Sequence, residues 1–236
     1  MNQVPVINVM QMTKQMDLHD NIYEHFSVKM QQPHDVLMLT NFFKFIFVRH
    51  PFERLVSAFH DKFIVIKQQN LMLPFIKYYV QILYPNIRTP KRPSRKWIDD
   101  YVDVSFQNFV NFVLHENSLA TQISGPSGHW WPYTDMCKMC EIDFEYIGKL
   151  ETLSRDVDCI LKKFPKYHLL QRMRSRIQIK VNSKGNHTKN MTMNYFSQLP
   201  KRNIIELYKM YKDDFTLGGY EYPINYIDVG IPADNL

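Results

Sequence analysis

The segment Phe42-Phe43-Lys44-Phe45-Ile46-Phe47-Val48, stopped at once by Arg49-His50-Pro51, constrains this chain more than any other. A short aromatic and β-branched run with a single charge reads as a strand buried on both faces, as in a parallel sheet. From Pro51 the period changes: Leu55, Phe59 and Phe63 recur every fourth residue, while Arg54, Ser57 and Asp61 share the opposite face. That pattern predicts an amphipathic helix with proline in its first turn, where a missing N–H costs nothing. Strand, tight turn and helix make half of a βαβ unit, so an α/β fold is expected.

The rest of the chain extends that reading. Leu18 to Met30 has only loose helical spacing, and residues 67–84 are apolar, aromatic and read as helical. A basic, proline-broken loop follows at 88–96. Ser105 is placed to cap a helix carrying Phe106, Phe109, Val110 and Val113. Residues 124–135 read as an aromatic-rich loop, Phe144 to Gly148 as a second short strand, and the stretch from Lys149 to Leu161 as a helix. Residues 162–192 are polar and basic and read as loop-rich. A last helix at 201–215 brings Ile204, Tyr208, Tyr211 and Phe215 to one side. With no internal repeat and no clear boundary, one domain is the economical expectation.

Composition excludes several classes. At 236 residues and 45% hydrophobic the chain can bury a sizeable core, so wholesale disorder is ruled out. Three cysteines are too few for a disulfide scaffold. No run approaches the ~20 apolar residues of a membrane-spanning helix, and Met1 to Lys14 lacks the basic-then-apolar order of a signal peptide. A net charge of +6 permits an anionic partner.

The chemistry is concentrated at Arg49, Arg54 and Ser57. An arginine at the carboxyl end of a parallel strand points into the crevice where open α/β sheets bind ligands. Its guanidinium fork suits a phosphate, held through two charge-assisted hydrogen bonds. The Ser57 hydroxyl can donate to the same phosphate, and Arg54, one turn earlier on the same face, can add a second positive charge. The same spacing also fits an arginine that caps a neighbouring helix and a serine that bonds its own backbone.

The stretch Lys44-Phe-Ile-Phe-Val-Arg-His-Pro-Phe-Glu-Arg-Leu-Val-Ser-Ala-Phe-His-Asp-Lys-Phe63 closely resembles the 3′-phosphate-binding segment of the Golgi carbohydrate sulfotransferases. This family includes the HNK-1, chondroitin 4-O and GalNAc-4-O enzymes. The likeness continues in order through Asp103-Val-Ser-Phe106-Gln-Asn-Phe109, His129-Trp130 to Cys137-Lys-Met-Cys140, Tyr146-Ile-Gly-Lys149-Leu-Glu151-Thr152, and Leu207 to Tyr220. The resemblance covers residues 42–222, leaving 1–41 as a poorly matched leading segment and 223–236 as a tail. It implies a P-loop-like sulfotransferase fold with a central parallel sheet. It also implies transfer of a sulfonate from 3′-phosphoadenylyl sulfate (PAPS) to a glycan hydroxyl, with Arg49 and Ser57 on the donor's 3′-phosphate and no metal. The acceptor is expected to be an acidic or neutral glycan. By the same resemblance the setting is the Golgi lumen, where full-length relatives are membrane-anchored although this chain makes no membrane contact itself.

One departure from the family pattern matters. Its members carry an earlier loop of the C-x-x-P-K-x-G kind whose backbone cradles the 5′-phosphosulfate, yet the first glycine here is Gly125. A phosphate cradle without glycine is sterically difficult. The expectation is therefore a chain lacking the leading loop: either a fragment of a competent enzyme, or an inactive member that binds only nucleotide or acidic glycan. In both cases catalysis by these residues alone should be severely impaired.

Other candidates are less specific. His129 is the candidate catalytic base; His25 and His34 lie where upstream bases are expected. Trp130, Trp131 and Tyr133 can stack on sugar faces or simply pack. Cys137 and Cys140 lack the second pair a Cys₄ zinc site requires, which leaves a local disulfide or two structural thiols, with Cys159 the odd one out. The basic residues at 88–96 and 172–184 can line a channel for an acidic glycan or form a solvated surface. Nucleic-acid binding has no helix-turn-helix, RNP or zinc-finger pattern behind it. Asn186 and Asn190 begin N-glycosylation acceptor patterns, which favours a lumenal setting.

Overall fold

The computed structural model describes residues 43–65, 79–91, 94–118, 126–163 and 185–232. In chain order the elements are β1 (Phe45–Val48), α1 (Pro51–Phe59), a π-helical extension (His60–Val65), α2 (Arg95–Tyr101) and α3 (Phe106–Ser118). A 3₁₀ turn (Pro126–His129), α4 (Tyr133–Met136), β2 (Tyr146–Lys149), a 3₁₀ turn (Leu150–Thr152) and α5 (Leu153–Lys163) follow. The described chain closes with α6 (Gly185–Phe196), α7 (Lys201–Leu217) and α8 (Ile224–Val229). Contacts gather these elements into two compact units, Met1–Arg49 with Tyr133–Lys184, and His50–Pro132 with Gly185–Leu236.

In the first unit β1 and β2 pair in parallel, with Phe45 opposite Tyr146, Ile46 opposite Ile147, Phe47 opposite Gly148 and Val48 opposite Lys149. The expected strand pair and its parallel sense are thus present. The expected burial on both faces is not: Val48 is buried, whereas Phe45, Ile46 and Phe47 are half-buried. Among the described residues β1 has a single strand neighbour, so less of each face is covered than inside a wide sheet. Gly148 is required for close approach, because a Cβ there would lie 2.5 Å from Cε1 of Phe47. After β2 the chain turns into α5 around Asp156. That carboxylate accepts the Lys149 N–H (2.8 Å), the Thr152 hydroxyl (2.7 Å) and Nε of Arg155 (3.1 Å). Burial alone would raise its pKa, but these donors outweigh it and hold the carboxyl below its ordinary value.

The second unit is helical. Leu55, Phe59 and Phe63, the stripe read from the sequence, are all buried there. They pack with Phe106, Phe109, Val110 and Val113 of α3, Trp130, Phe196 of α6 and Ile204, Tyr211 and Phe215 of α7. In this unit α1 lies against α6 and α7, and α7 against α3 and α8. Ser105 caps α3 as expected, its hydroxyl accepting the Asn108 N–H at 3.2 Å.

Two loop expectations fail in part. The described residues of 88–94 are loop, but the last two residues of the basic stretch open α2, because Ser94 caps that helix by accepting the Trp97 N–H at 3.2 Å. Residues 185–192, expected to be loop, form most of α6, whose Thr192 and Phe196 are buried. The polar letters there mask one apolar face. The Asn190 pattern consequently lies within a helix, with Asn190 exposed and Thr192 inside. Beyond residue 222, α8 places Tyr226 in the core, and Ile231 bridges to Pro200. No helix among the described residues is long and apolar enough to cross a membrane. The expected leading segment, most of 67–84 and the basic residues 172–184 lie outside the described residues.

Candidate functional site

The candidate residues lie in the turn after β1 and on α1. Arg49 follows the last strand residue, ends the leading segment of the first unit and is half-buried. His50 opens the second unit as the residue preceding α1, and its carbonyl accepts the Arg54 N–H at 2.9 Å. Pro51 sits at the helix start, so the helix begins without a displaced donor. The His50 ring is held among four aromatic rings, with centroids 5.9 Å to Phe52, 5.2 Å to Phe215, 5.1 Å to Tyr220 and 5.4 Å to Tyr226. Most of these contacts are edge-on, the favourable arrangement for aromatic pairs. Sequence reasoning missed this cage, because three of its walls come from residues 215–226.

Ser57 lies in the second turn of α1 and is half-buried. Its hydroxyl makes no hydrogen bond among the described residues. The reading in which it bonds its own backbone therefore has no support in the structure.

Arg54 departs from the surface position its period suggests. It is 8% exposed, and its Nη2 donates to the Trp131 carbonyl and stands 3.5 Å from Oδ2 of Asp214 on α7. Its guanidinium also lies 5.8 Å from the centre of the Tyr211 ring. Tyr211 in turn donates its hydroxyl to the Trp130 carbonyl. Two successive carbonyls of the aromatic loop are thus gripped by side chains from α1 and α7. The sequence placed Tyr211 on the apolar side of the helix at 201–215. It gave no sign that Asp214, 160 residues from Arg54, would meet it.

The loop itself divides by exposure. His129 is exposed at the end of the 3₁₀ turn, Trp130 is fully buried against Phe109 (5.4 Å) and Phe112 (6.2 Å), and Trp131 is half-buried. Of the three aromatics considered for sugar stacking, Trp130 is a core residue, while Trp131 and Tyr133 keep part of their surface. Cys137, Cys140 and Cys159 are present as thiols, with Lys138 in the left-handed region (φ 53°) inside the Cys-x-x-Cys turn. Among the described residues no cluster of three or more His, Cys, Asp or Glu side chains could hold a metal ion. Arg88, Lys91 and Lys96 are exposed.

A model of the sulfotransferase family matches residues 3–222. This chain belongs to the sulfotransferase family. The family resemblance read from residues 42–222 is therefore upheld, and the match also reaches into the leading segment. Among curated relatives, carbohydrate sulfotransferase 10 of Xenopus laevis is 35% identical over 187 residues, covering 78% of this chain and 49% of that protein. The Homo sapiens protein of the same name gives the same figures, 35% over 187 residues with 78% and 49% covered. Carbohydrate sulfotransferase 12 of Mus musculus is 28% identical over 190 residues, covering 79% of this chain and 42% of its own length. The chain spans about half the length of the curated relatives it matches. No solved structure matches.

Proposed function

We propose that this sulfotransferase-family chain takes part in moving a sulfonate from PAPS to a glycan hydroxyl, with Arg49 and Ser57 on the donor's 3′-phosphate. The observation that carries the reading is the Ser57 hydroxyl. It is half-buried, has no hydrogen-bond partner among the described residues, and follows the strand-end arginine closely in sequence. A hydroxyl donor and a guanidinium fork suit a phosphate dianion and distinguish a nucleotide carrying it from one that does not.

In the transfer the acceptor oxygen bonds to sulfur as the bond from sulfur to the phosphate oxygen breaks. The adenosine 3′,5′-bisphosphate (PAP) formed leaves with that bond's electron pair. A base takes the hydroxyl proton, and His129, exposed beside the half-buried Trp131, is the proposed base. Exposed Arg88, Lys91 and Lys96 favour an acidic acceptor such as a sulfated or uronic-acid-bearing chain. A Golgi-lumenal setting goes with this reading.

Calorimetry on the full chain tests it. PAP should bind at least about tenfold more tightly than AMP, since hydrogen bonds to a charged group contribute about 1.5–3 kcal/mol. Arg49→Ala and Ser57→Ala should each erode that ratio while leaving AMP binding unchanged. Equal affinity for PAP and AMP refutes the assignment.

A further inference from the structure

We propose that Arg54 is a positioning residue for the aromatic loop at 126–132, and not a ligand of the donor phosphate. The inference rests on the donor reading above for the identity of the phosphate site, and it assigns the second arginine of that segment a different task. Arg54 is 8% exposed, and its guanidinium meets three groups of its own unit: the Trp131 carbonyl, the Asp214 carboxylate at 3.5 Å and the Tyr211 ring at 5.8 Å. A phosphate ligand needs its donors turned to solvent or to the ligand. This side chain is turned into the helical core.

What the arrangement holds is specific. Tyr211 grips the Trp130 carbonyl, and Arg54 grips the next carbonyl along, that of Trp131. Between these clamps the chain sends the Trp130 ring inward, where it is fully buried, and leaves Trp131 half-exposed and His129 exposed. One nitrogen, Nη2, serves the carbonyl and faces the carboxylate, while the planar group also lies toward the Tyr211 ring, a combination an ammonium on a flexible stem reproduces less well. The helix that presents Ser57 to the donor therefore also fixes, three residues earlier, the loop that presents His129 and Trp131. An imidazole and an indole face held this way suit the polar and apolar sides of a sugar ring.

The test uses the full chain and four variants: Arg54→Met, Arg54→Lys, Tyr211→Phe and, as the donor-site reference, Arg49→Ala. Two quantities are read: the PAP-to-AMP affinity ratio by calorimetry, and amide exchange of peptides spanning 126–133 by mass spectrometry. Losing one of the clamps should speed exchange there by at least about tenfold in Arg54→Met and Tyr211→Phe, with a smaller change in Arg54→Lys. The PAP-to-AMP ratio should stay within about twofold of the parent in these three and collapse only in Arg49→Ala. If Arg54→Met collapses the ratio as Arg49→Ala does, with or without faster exchange, Arg54 is a phosphate ligand and the proposal fails. Unchanged exchange in Arg54→Met overturns it as well. If the parent chain itself does not distinguish PAP from AMP, the donor assignment falls. The exchange data then decide the loop-positioning role alone.

Discussion

Replacing Arg54 and Asp214 singly and together should give the most decisive stability result. The pair stands 3.5 Å apart with side chains only 10% and 1% exposed. At that distance and an effective dielectric of about 20, the gross attraction is about 5 kcal/mol, most of it offset by desolvation of both ions. Removing one partner keeps the desolvation cost and loses the attraction. Arg54→Met and Asp214→Leu should therefore each destabilise the chain by about 3–5 kcal/mol. The double variant removes both charges of the pair and leaves the Trp131 carbonyl short of a donor, at about 1–3 kcal/mol. It should thus be more stable than either single variant, with a coupling energy of about 3 kcal/mol or more. Urea unfolding followed by circular dichroism reads this directly as midpoints ordered parent, double, singles. A double variant whose loss equals the sum of the singles would mean that the two side chains do not meet, and the reasoning about this node would be wrong.

Three further outcomes follow from other parts of the structure. Gly148→Ala places a methyl 2.5 Å from the Phe47 ring, so overpacking should cost about 1–3 kcal/mol in the same urea experiment; Phe47→Leu in that background should restore part of the loss. Trp130→Ala removes a fully buried indole packed on Phe109 and Phe112 and should cost about 3–5 kcal/mol, whereas Trp131→Ala, half-exposed, should cost much less. Asp156 has its carboxyl lowered from 3.8 by the donors of Lys149, Thr152 and Arg155, against the opposing effect of burial. Its contribution is therefore present above the unfolded-state value and lost as pH falls through the lower folded-state value. Melting temperature against pH should show Asp156→Asn losing stability near neutrality and converging on the parent in strong acid; parallel curves would contradict the assignment.

The strand-turn-helix at 42–63 was legible because three independent signals coincide there: an apolar run, a proline that ends it and a change of period from a strand's to a helix's. The helix at 201–215 and the cap at Ser105 were legible for the same local reasons. The stretches misread as loop, at 95–96 and 185–192, are rich in polar and basic residues. Helix formation there depends on a single cap or on one packed face, and composition averages that away. Strand burial was overestimated because a continuous apolar run reports what a strand can bury, not how many neighbours cover it.

Arg54 shows the limit most clearly. Helical periodicity sorts residues into an apolar and a polar face, and it groups Arg54 with Ser57 and Asp61. It cannot say which part of a polar face meets another element. In the structure Asp61 is exposed, Ser57 is half-buried and Arg54 is inside, because α7 delivers a carboxylate to that point and the aromatic loop delivers a carbonyl. A charged residue on a polar face is ordinarily solvated, so only the distant partner makes its burial tolerable. The polar face of α1 is therefore divided along its length. Ser57 keeps its hydroxyl available because nothing among the described residues engages it. Arg54, one turn earlier, is drawn into the core by residues the local sequence does not contain.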